Sequence, residues 1–172
     1  MLTLEQSYRT TIEIMEAANS VMKFLNDPKL PPSKPVIRHG DAVTVIEKSS
    51  LKEVAKAVAD QIAKLKDEGF KSAAIICKTL EECKKIKMDL NSYGVNIKII
   101  NGNESEYSGG VVLIPSYLVK GLEFDVVIIA NASKAEYSTD PLDVKLLYIA
   151  MTRPLHRLCI YSVGEKAEML FK

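Results

Sequence analysis

The 172-residue sequence lacks several features that would assign it to a broad class of protein. Three cysteines, an odd number without C-x-x-C spacing, indicate neither a disulfide framework nor a metal site, and we expect reduced thiols of a cytosolic protein. No apolar run approaches the roughly 20 residues that a membrane helix requires. The first residues show no basic leader followed by an apolar segment. We therefore expect a cytoplasmic location without secretion or membrane insertion.

An excess of charge of one sign is also missing. Lysine and arginine together number 23 against 22 aspartates and glutamates, and the net charge is +1. A strongly basic nucleic-acid clamp is excluded, so any affinity for DNA or RNA has to come from a local surface. The pattern G-x-x-x-x-G-K-[ST], whose backbone cradles nucleotide phosphates, occurs nowhere in the sequence. The chain by itself is therefore expected not to hydrolyse a nucleoside triphosphate.

The sequence does contain short apolar runs that alternate with amphipathic, capped segments. This alternation predicts an α/β domain with a mostly parallel sheet covered by helices on both faces, and we assign residues 1–172 to one domain. Four prolines within 26–36 predict an extended connector. The predicted helices are 4–25, 51–69, 80–94 and 141–152, and the predicted strands are 42–47, 72–77, 96–100, 111–115, 126–130 and 156–163.

The stretch KGLEFD, residues 120–125, stands between two predicted strands. Ligands of parallel sheets bind beyond the carboxyl ends of the strands, and we expect KGLEFD to lie there. Gly121 permits close approach of the backbone, and Glu123 can accept hydrogen bonds from hydroxyl groups. A solvated turn explains the same residues, and the local chemistry does not separate the two interpretations.

Two arginines belong to motifs in or beside predicted helices. Arg153, in LLYIAMTRP at 146–154, can pair with phosphate oxygens, but local chemistry favours a simple cation at a helix C-terminus. Tyr8 and Arg9 begin the first amphipathic segment, and such a pair is more often a core residue with a solvated neighbour. Neither position identifies a function when it is taken alone.

Taken in order, the stretches LEQSYRTTIEIMEAAN at 4–19, KGLEFD and LLYIAMTRP resemble the motifs of the second RecA-like domain of superfamily 1 helicases of the UvrD/Rep/PcrA class. The resemblance extends to about residue 162. It implies a RecA-like, three-layer α/β/α fold that lacks its own phosphate loop. It also implies that the chain is an excised C-terminal part of a longer protein.

The resemblance assigns a role to each matching residue. Tyr8 is expected to stack on adenine, Arg9 to reach the γ-phosphate, and Glu123 to bond the ribose. Gly121 lets its loop pack near the nucleotide, and Arg153 matches the arginine finger. The expected cofactor is ATP with Mg²⁺, bound mainly by an N-terminal RecA-like domain of the same parent chain. No metal is expected on this chain itself.

Two departures narrow the resemblance. Members of the family carry a T-x-H element that contacts single-stranded DNA, and here Pro115 and Tyr117 stand in its threonine and histidine places. The loop 101–110 replaces a large inserted subdomain. Both features resemble the HelD branch, whose ATPases associate with RNA polymerase. Ser116 and Tyr117 remain our candidates for a nucleic-acid contact, although an aromatic ring buried under the loop is equally compatible with the sequence.

Several functions therefore stay open. The leading hypothesis is the C-terminal motor domain of an ATP-dependent DNA helicase or translocase, with single-stranded DNA or another nucleic acid as its partner. A HelD-like remodeller of RNA polymerase that does not unwind is the alternative, and a stand-alone binding module without catalysis is the third. A small-molecule enzyme is disfavoured because no nucleophile and base occur at suitable spacing, and His39 and His156 are expected outside the site.

Overall fold

The computed structural model describes residues 10–25, 38–102 and 109–170. The predicted connector at 26–36, and most of the predicted loop at 101–110, lie outside the described residues. No helix in the described ranges has both the length and the apolarity to cross a membrane.

The described chain contains four α-helices and six β-strands. The helices are α1 (Ile12–Met22), α2 (Leu51–Asp67), α3 (Leu80–Ser92) and α4 (Pro141–Met151). The strands are β1 (Thr44–Lys48), β2 (Ser72–Cys77), β3 (Lys98–Ile99), β4 (Gly110–Pro115), β5 (Phe124–Ile129) and β6 (Pro154–Val163). Two 3₁₀ turns, Lys23–Leu25 and Ser116–Leu118, follow α1 and β4.

The helices begin where side chains satisfy the first free N–H groups. The hydroxyls of Thr11, Ser50 and Thr79 each accept a hydrogen bond from the backbone N–H three residues later, at 3.2–3.3 Å. The signatures Ser50–Glu53 and Thr79–Glu82 thus supply the N-caps that they predict, while the Glu53 carboxylate accepts its hydrogen bond from Ser49 N–H, at 3.0 Å. Asp140 precedes Pro141 at the first position of α4, as predicted, but its side chain makes no capping hydrogen bond.

The first helix is shorter than predicted. Thr11 is extended, with φ −100° and ψ 161°, and it caps a helix that begins at Ile12. The apolar periodicity of the sequence continues upstream of the cap, but a threonine whose hydroxyl bonds Ile14 N–H ends the helix on that side. The prediction that residues 10 and 11 are helical is therefore wrong.

Six strands form one sheet in the order β1-β6-β5-β2-β4-β3, and every pairing between these strands is parallel. Strand β2 lies at the centre, between β4 and β5, and its residues are almost entirely buried. Such continuous apolar strands are typical of a sheet that is covered on both faces. The predicted fold class is confirmed.

The two faces of the sheet hold two hydrophobic cores. Because successive side chains of a strand point to opposite faces, Ile75 packs with α2 and α3 while its neighbour Ile76 packs with α1 and α4. The alternation repeats in β5, where Ile128 joins the first core and Ile129 the second. The result is the three-layer α/β/α arrangement that was predicted.

The connection between β4 and β5 fixes the position of KGLEFD. Strand β4 ends at Pro115, beside the end of β2, whereas β5 begins at Phe124, near the beginning of β2. Residues 116–123 therefore run back across one face of the sheet without an α-helix, and Val119 is fully buried there in the α1/α4 core. KGLEFD lies at the amino ends of the strands, so the prediction that it lies at the carboxyl ends is wrong.

Candidate functional site

Arg153 and the segment Gly121–Glu123 meet at the amino edge of the sheet. Glu123 directly precedes β5 and Arg153 directly precedes β6, and these two strands are parallel neighbours. The Phe124 N–H donates to the Arg153 carbonyl at 3.1 Å, which joins the two segments at their backbones. Two motifs that are about 30 residues apart in the sequence are thus adjacent in the fold, whatever their function.

The guanidinium of Arg153 is held by oxygens around the C-terminus of α4. Its Nε donates to the Ile149 carbonyl at 3.2 Å, its Nη1 to the Leu122 carbonyl at 3.5 Å, and its Nη2 to Thr152 Oγ1 at 3.1 Å. Thr152 Oγ1 in turn donates to the Ile149 carbonyl at 2.8 Å. All three acceptors are neutral, so they orient the guanidinium without cancelling its charge.

The charges of Arg153 and Glu123 interact at this edge of the sheet. Burial of the guanidinium lowers the pKa of Arg153, whereas the negative charge of Glu123 acts in the opposite direction. The side chain stays cationic because arginine ionises far above physiological pH. A desolvated cation beside a carboxylate is a donor and acceptor pair that suits an anionic ligand carrying hydroxyl groups.

Gly121 has a conformational role in addition to the one that the sequence analysis predicts. Its φ is +85°, a left-handed conformation that glycine adopts without strain, and an added Cβ would meet no atom within 4 Å. The glycine is therefore required by the turn that precedes β5. Within the described residues nothing approaches it closely.

Tyr8 and Arg9 lie outside the described residues. Thr10, to which Arg9 is covalently joined, is buried, and its hydroxyl donates to the Pro154 carbonyl at 3.0 Å. The start of α1 is therefore attached to the amino end of β6, immediately after Arg153.

Ser116 and Tyr117 are at the opposite edge, where β4 ends. Ser116 is 2% exposed, and its Oγ donates to the Lys78 carbonyl at 2.9 Å. Tyr117 is 56% exposed, which excludes the interpretation that its ring is buried under the loop. Of the predicted contacts that the structure describes, Gly121, Glu123 and Arg153 thus lie at one edge of the sheet and Ser116 and Tyr117 at the other.

The amino edge also carries a groove that the sequence analysis did not find. It has a volume of about 500 Å³ and lies between the start of α1 and the turn before β2. On its wall the Arg38 guanidinium donates to Nδ1 of His156, whose Nε2 lies 3.7 Å from Asp125 Oδ1. His156, which was expected outside the site, lines this groove, and the lining does not include Arg153 or Glu123. The residues are up to 118 positions apart, and no local pattern could have united them.

Among the described residues, no group of three or more histidines, cysteines, aspartates and glutamates is arranged to hold a metal ion. The donor set at the amino edge fits part of a nucleotide, namely phosphate oxygens at Arg153 and hydroxyl groups at Glu123. The sequence supplies no phosphate loop to hold the rest.

Comparison with known proteins identifies the family. The family model for the UvrD-like helicase C-terminal domain matches residues 2–108, and a second model with the same description matches residues 110–161. No curated protein sequence matches the chain. A solved structure described as the C-terminal domain of a possible DNA helicase from Lactobacillus plantarum WCFS1 is 30% identical, with a TM-score of 0.77, over 95% of this chain and 91% of that chain.

A more distant likeness is a complex of Arterivirus nonstructural protein 10, a helicase, with DNA. It is 11% identical with a TM-score of 0.45, over 87% of this chain and 30% of that chain. The conclusion about the family depends on the sequence models and the first structure alone. The chain belongs to the family of UvrD-like helicase C-terminal domains.

Proposed function

We propose that this chain is the C-terminal motor domain of an ATP-dependent DNA helicase or translocase. In this proposal it shares an ATP site with an N-terminal RecA-like domain of the same parent chain. The observation that carries the proposal is the junction of Arg153 with the Gly121–Glu123 segment at one edge of the sheet, where the Phe124 N–H donates to the Arg153 carbonyl. Membership of the family supports it.

Each residue of this edge has a chemical task in the proposal. Arg153 and Arg9 neutralise negative charge that develops on the transferred phosphoryl group, a contribution worth roughly 10³–10⁵ in rate for arginine fingers. Glu123 accepts a hydrogen bond from a ribose hydroxyl, and Tyr8 stacks on adenine. Gly121 forms the turn that sets the height of Glu123 above the strands. ATP with Mg²⁺, held mainly by the partner domain, supplies the bond that is cleaved.

The proposal also requires a movement of Arg153. Its three hydrogen bonds to neutral oxygens hold it between the end of α4 and the Leu122 carbonyl, and each such bond contributes a net of about 0.5–1.5 kcal/mol. A phosphate oxygen is a stronger partner than a carbonyl because it is charged. Closure of the partner domain would therefore draw the guanidinium away from α4, and closure also moves the two domains relative to each other.

The test is the Arg153→Ala variant of the full-length parent protein, with steady-state ATP turnover as the measurement. We expect kcat to fall by at least a hundredfold, and an unchanged kcat would remove Arg153 from the mechanism.

A HelD-like remodeller of RNA polymerase is the second candidate. It is favoured by the sequence IPSYLVKGLEFD and by the loop 101–110, which takes the place of the large inserted subdomain of unwinding members. Capture of core RNA polymerase by the parent protein, set against strand displacement on a tailed duplex, separates the two candidates. Capture without strand displacement would favour the remodeller.

The third candidate, a stand-alone binding module, differs from the other two in what the upstream coding sequence should encode. If the coding sequence upstream of this domain encodes G-x-x-x-x-G-K-[ST], a catalytic partner domain is present and the module hypothesis fails. If no such segment exists in the same reading frame or in a dedicated partner protein, the proposed ATP site fails.

A further inference from the structure

Lys78 joins four parts of the carboxyl edge. It follows the last residue of the central strand β2 and precedes Thr79, the N-cap of α3. Its carbonyl accepts the hydrogen bond of Ser116, next to the exposed ring of Tyr117. Its Nζ donates to the Glu136 carbonyl and forms an ion pair with Asp143 Oδ1 at 3.0 Å.

The ion pair is shielded from solvent. The Lys78 side chain is 21% exposed and the Asp143 side chain 15% exposed. The ammonium group also lies 5.3 Å from the centre of the Tyr137 ring, which is 1% exposed. A pair of this kind is costly to break, because the remaining charge loses its partner in a poorly solvated place. Lys78 and Asp143 therefore hold one position relative to each other.

Asp143 fixes the start of helix α4. Its Oδ2 accepts hydrogen bonds from Ser138 N–H and Ser138 Oγ, both at 2.8 Å. The helix then runs 11 residues, about 16 Å at 1.5 Å per residue, to the opposite edge of the sheet. Val144, Leu147 and Ala150 are fully buried along its length. A helix packed in this way moves as a rigid body, so its two ends move together.

The other end of α4 carries Arg153. The Arg153 N–H donates to the Ala150 carbonyl at 3.3 Å, and its Nε donates to the Ile149 carbonyl. We infer that Lys78 is a positioning residue that couples nucleic acid at Tyr117 to Arg153, through Ser116, the Lys78–Asp143 ion pair and helix α4. This inference rests on the proposed function, because it assigns a regulator to the ATP site proposed above.

The chemistry of the coupling follows from the contacts. A base that stacks on Tyr117 biases the position of the 3₁₀ turn Ser116–Leu118, and the hydroxyl of Ser116 is attached to the Lys78 backbone. Through the ion pair, a shift of Lys78 moves Asp143 and with it the axis of α4. Because the arginine sits directly after the helix, a small rotation of α4 changes its reach towards the partner domain.

The experiment uses the full-length parent protein and measures the ratio of ATP turnover with saturating oligo(dT) to turnover without it. Lys78→Met is expected to reduce this ratio by about tenfold, which lies within the usual range of coupling between sites. The matched control is Lys84→Met, because Lys84 pairs with Glu81 on the exposed surface of α3, and its ratio is expected to equal that of the unmodified protein. Lys78→Arg is expected to restore most of the ratio.

A double-mutant cycle supplies a readout that a purely structural role would not produce. Asp143→Asn and the double variant are expected to lower the ratio no further than Lys78→Met, since each change breaks the same Lys78–Asp143 ion pair. A Lys78→Met protein that keeps the full ratio, or that loses basal and stimulated turnover in equal proportion, would overturn the inference. If Arg153→Ala leaves ATP turnover intact, the proposed function fails. If Arg153→Ala abolishes ATP turnover while Lys78→Met keeps the normal ratio of stimulated to basal turnover, only the coupling role of Lys78 fails.

Discussion

Arg153 is bound by its own helix, and this contact pattern explains how one residue can fit two interpretations. A cation at a helix C-terminus is favourable, and the bond to the Ile149 carbonyl shows that Arg153 occupies such a place. The same bond holds a half-buried guanidinium at the edge where Glu123 also lies. The helix-end contact is the resting position in our proposal, and the phosphate contact is the working one.

At the same scale, Gly121→Ala should destabilise the chain without any steric clash. The alanine must adopt φ near +85°, which costs roughly 1–2 kcal/mol in the left-handed region. Urea unfolding of the chain measures the change, and Lys120→Ala in the same turn is the control. Equal free energies of unfolding for Gly121→Ala and the unmodified chain would contradict the assigned role of the turn.

The exposed ring of Tyr117 permits a direct test of the proposed nucleic-acid contact. Tyr117→Ala should weaken binding of labelled oligo(dT) by roughly 1–3 kcal/mol, the usual contribution of one stacked base, whereas Tyr117→Phe should retain most of the affinity. Fluorescence anisotropy at low salt measures both. Tyr93→Ala, which removes a ring that is 38% exposed at the end of α3, is the matched control. Equal weakening by Tyr93→Ala would show that the effect is not local.

Among the helices, α3 carries the most unusual carboxyl group in its first turn. Glu82 is 7% exposed, and its Oε1 has no hydrogen-bond partner. Burial and the neighbouring charge of Glu136 raise the pKa of Glu82 to about 7. Since the folded chain then holds a proton that the unfolded chain releases near pH 4.5, Glu82 makes the folded state progressively less stable as pH rises from about 4.5 to 7.

Replacement of Glu82 by glutamine removes this titration. The free energy of unfolding of Glu82→Gln, relative to the unmodified chain, should increase by the order of 1–3 kcal/mol between pH 5 and pH 8. Urea unfolding at several pH values measures the difference. Glu81→Gln, whose side chain is 79% exposed, is the control and should show no such trend. A pH-independent difference for Glu82→Gln would mean that Glu82 is ionised throughout this range.

The sequence predicts a helix boundary well where the residues that determine it are close together in the chain. The capped starts of α2 and α3 were predictable because Ser50 and Thr79 act on N–H groups three residues away. The start of α1 at Ile12 was not, because apolar periodicity continued past Thr11. Local capping chemistry overrode the hydrophobic pattern at that position.

For the molecule as a whole, the two edges of the sheet separate two proposed tasks. The motifs KGLEFD and LLYIAMTRP were predicted to act together, and they are adjacent. The prediction that KGLEFD lies at the carboxyl ends of the strands was wrong, because the β4–β5 connection has no α-helix and runs back across a face of the sheet, where Val119 is buried. No local sequence pattern indicates this path. The groove at Arg38 and His156 was missed for the same reason, since its walls come from distant segments.

The chain without its partner domain should bind nucleotide poorly. It has no phosphate loop, and within the described residues it contributes one edge of a site, so we expect weak or no binding of a fluorescent ATP analogue. Titration of the analogue with the chain measures this, and the full-length parent protein is the positive control. Tight binding by the chain alone would contradict a shared site.

The central claim is that Arg153 acts on a phosphoryl group bound by another domain, and steady-state ATP turnover by the full-length parent protein tests it most directly. Arg153→Ala should lower kcat by at least a hundredfold, as expected for loss of an arginine finger. Arg157→Ala is the charge-matched control, since Arg157 in β6 is already paired with Glu68 and Asp41, and its folded protein should keep the kcat of the unmodified enzyme. An Arg153→Ala protein that turns over ATP at the rate of Arg157→Ala would contradict the account.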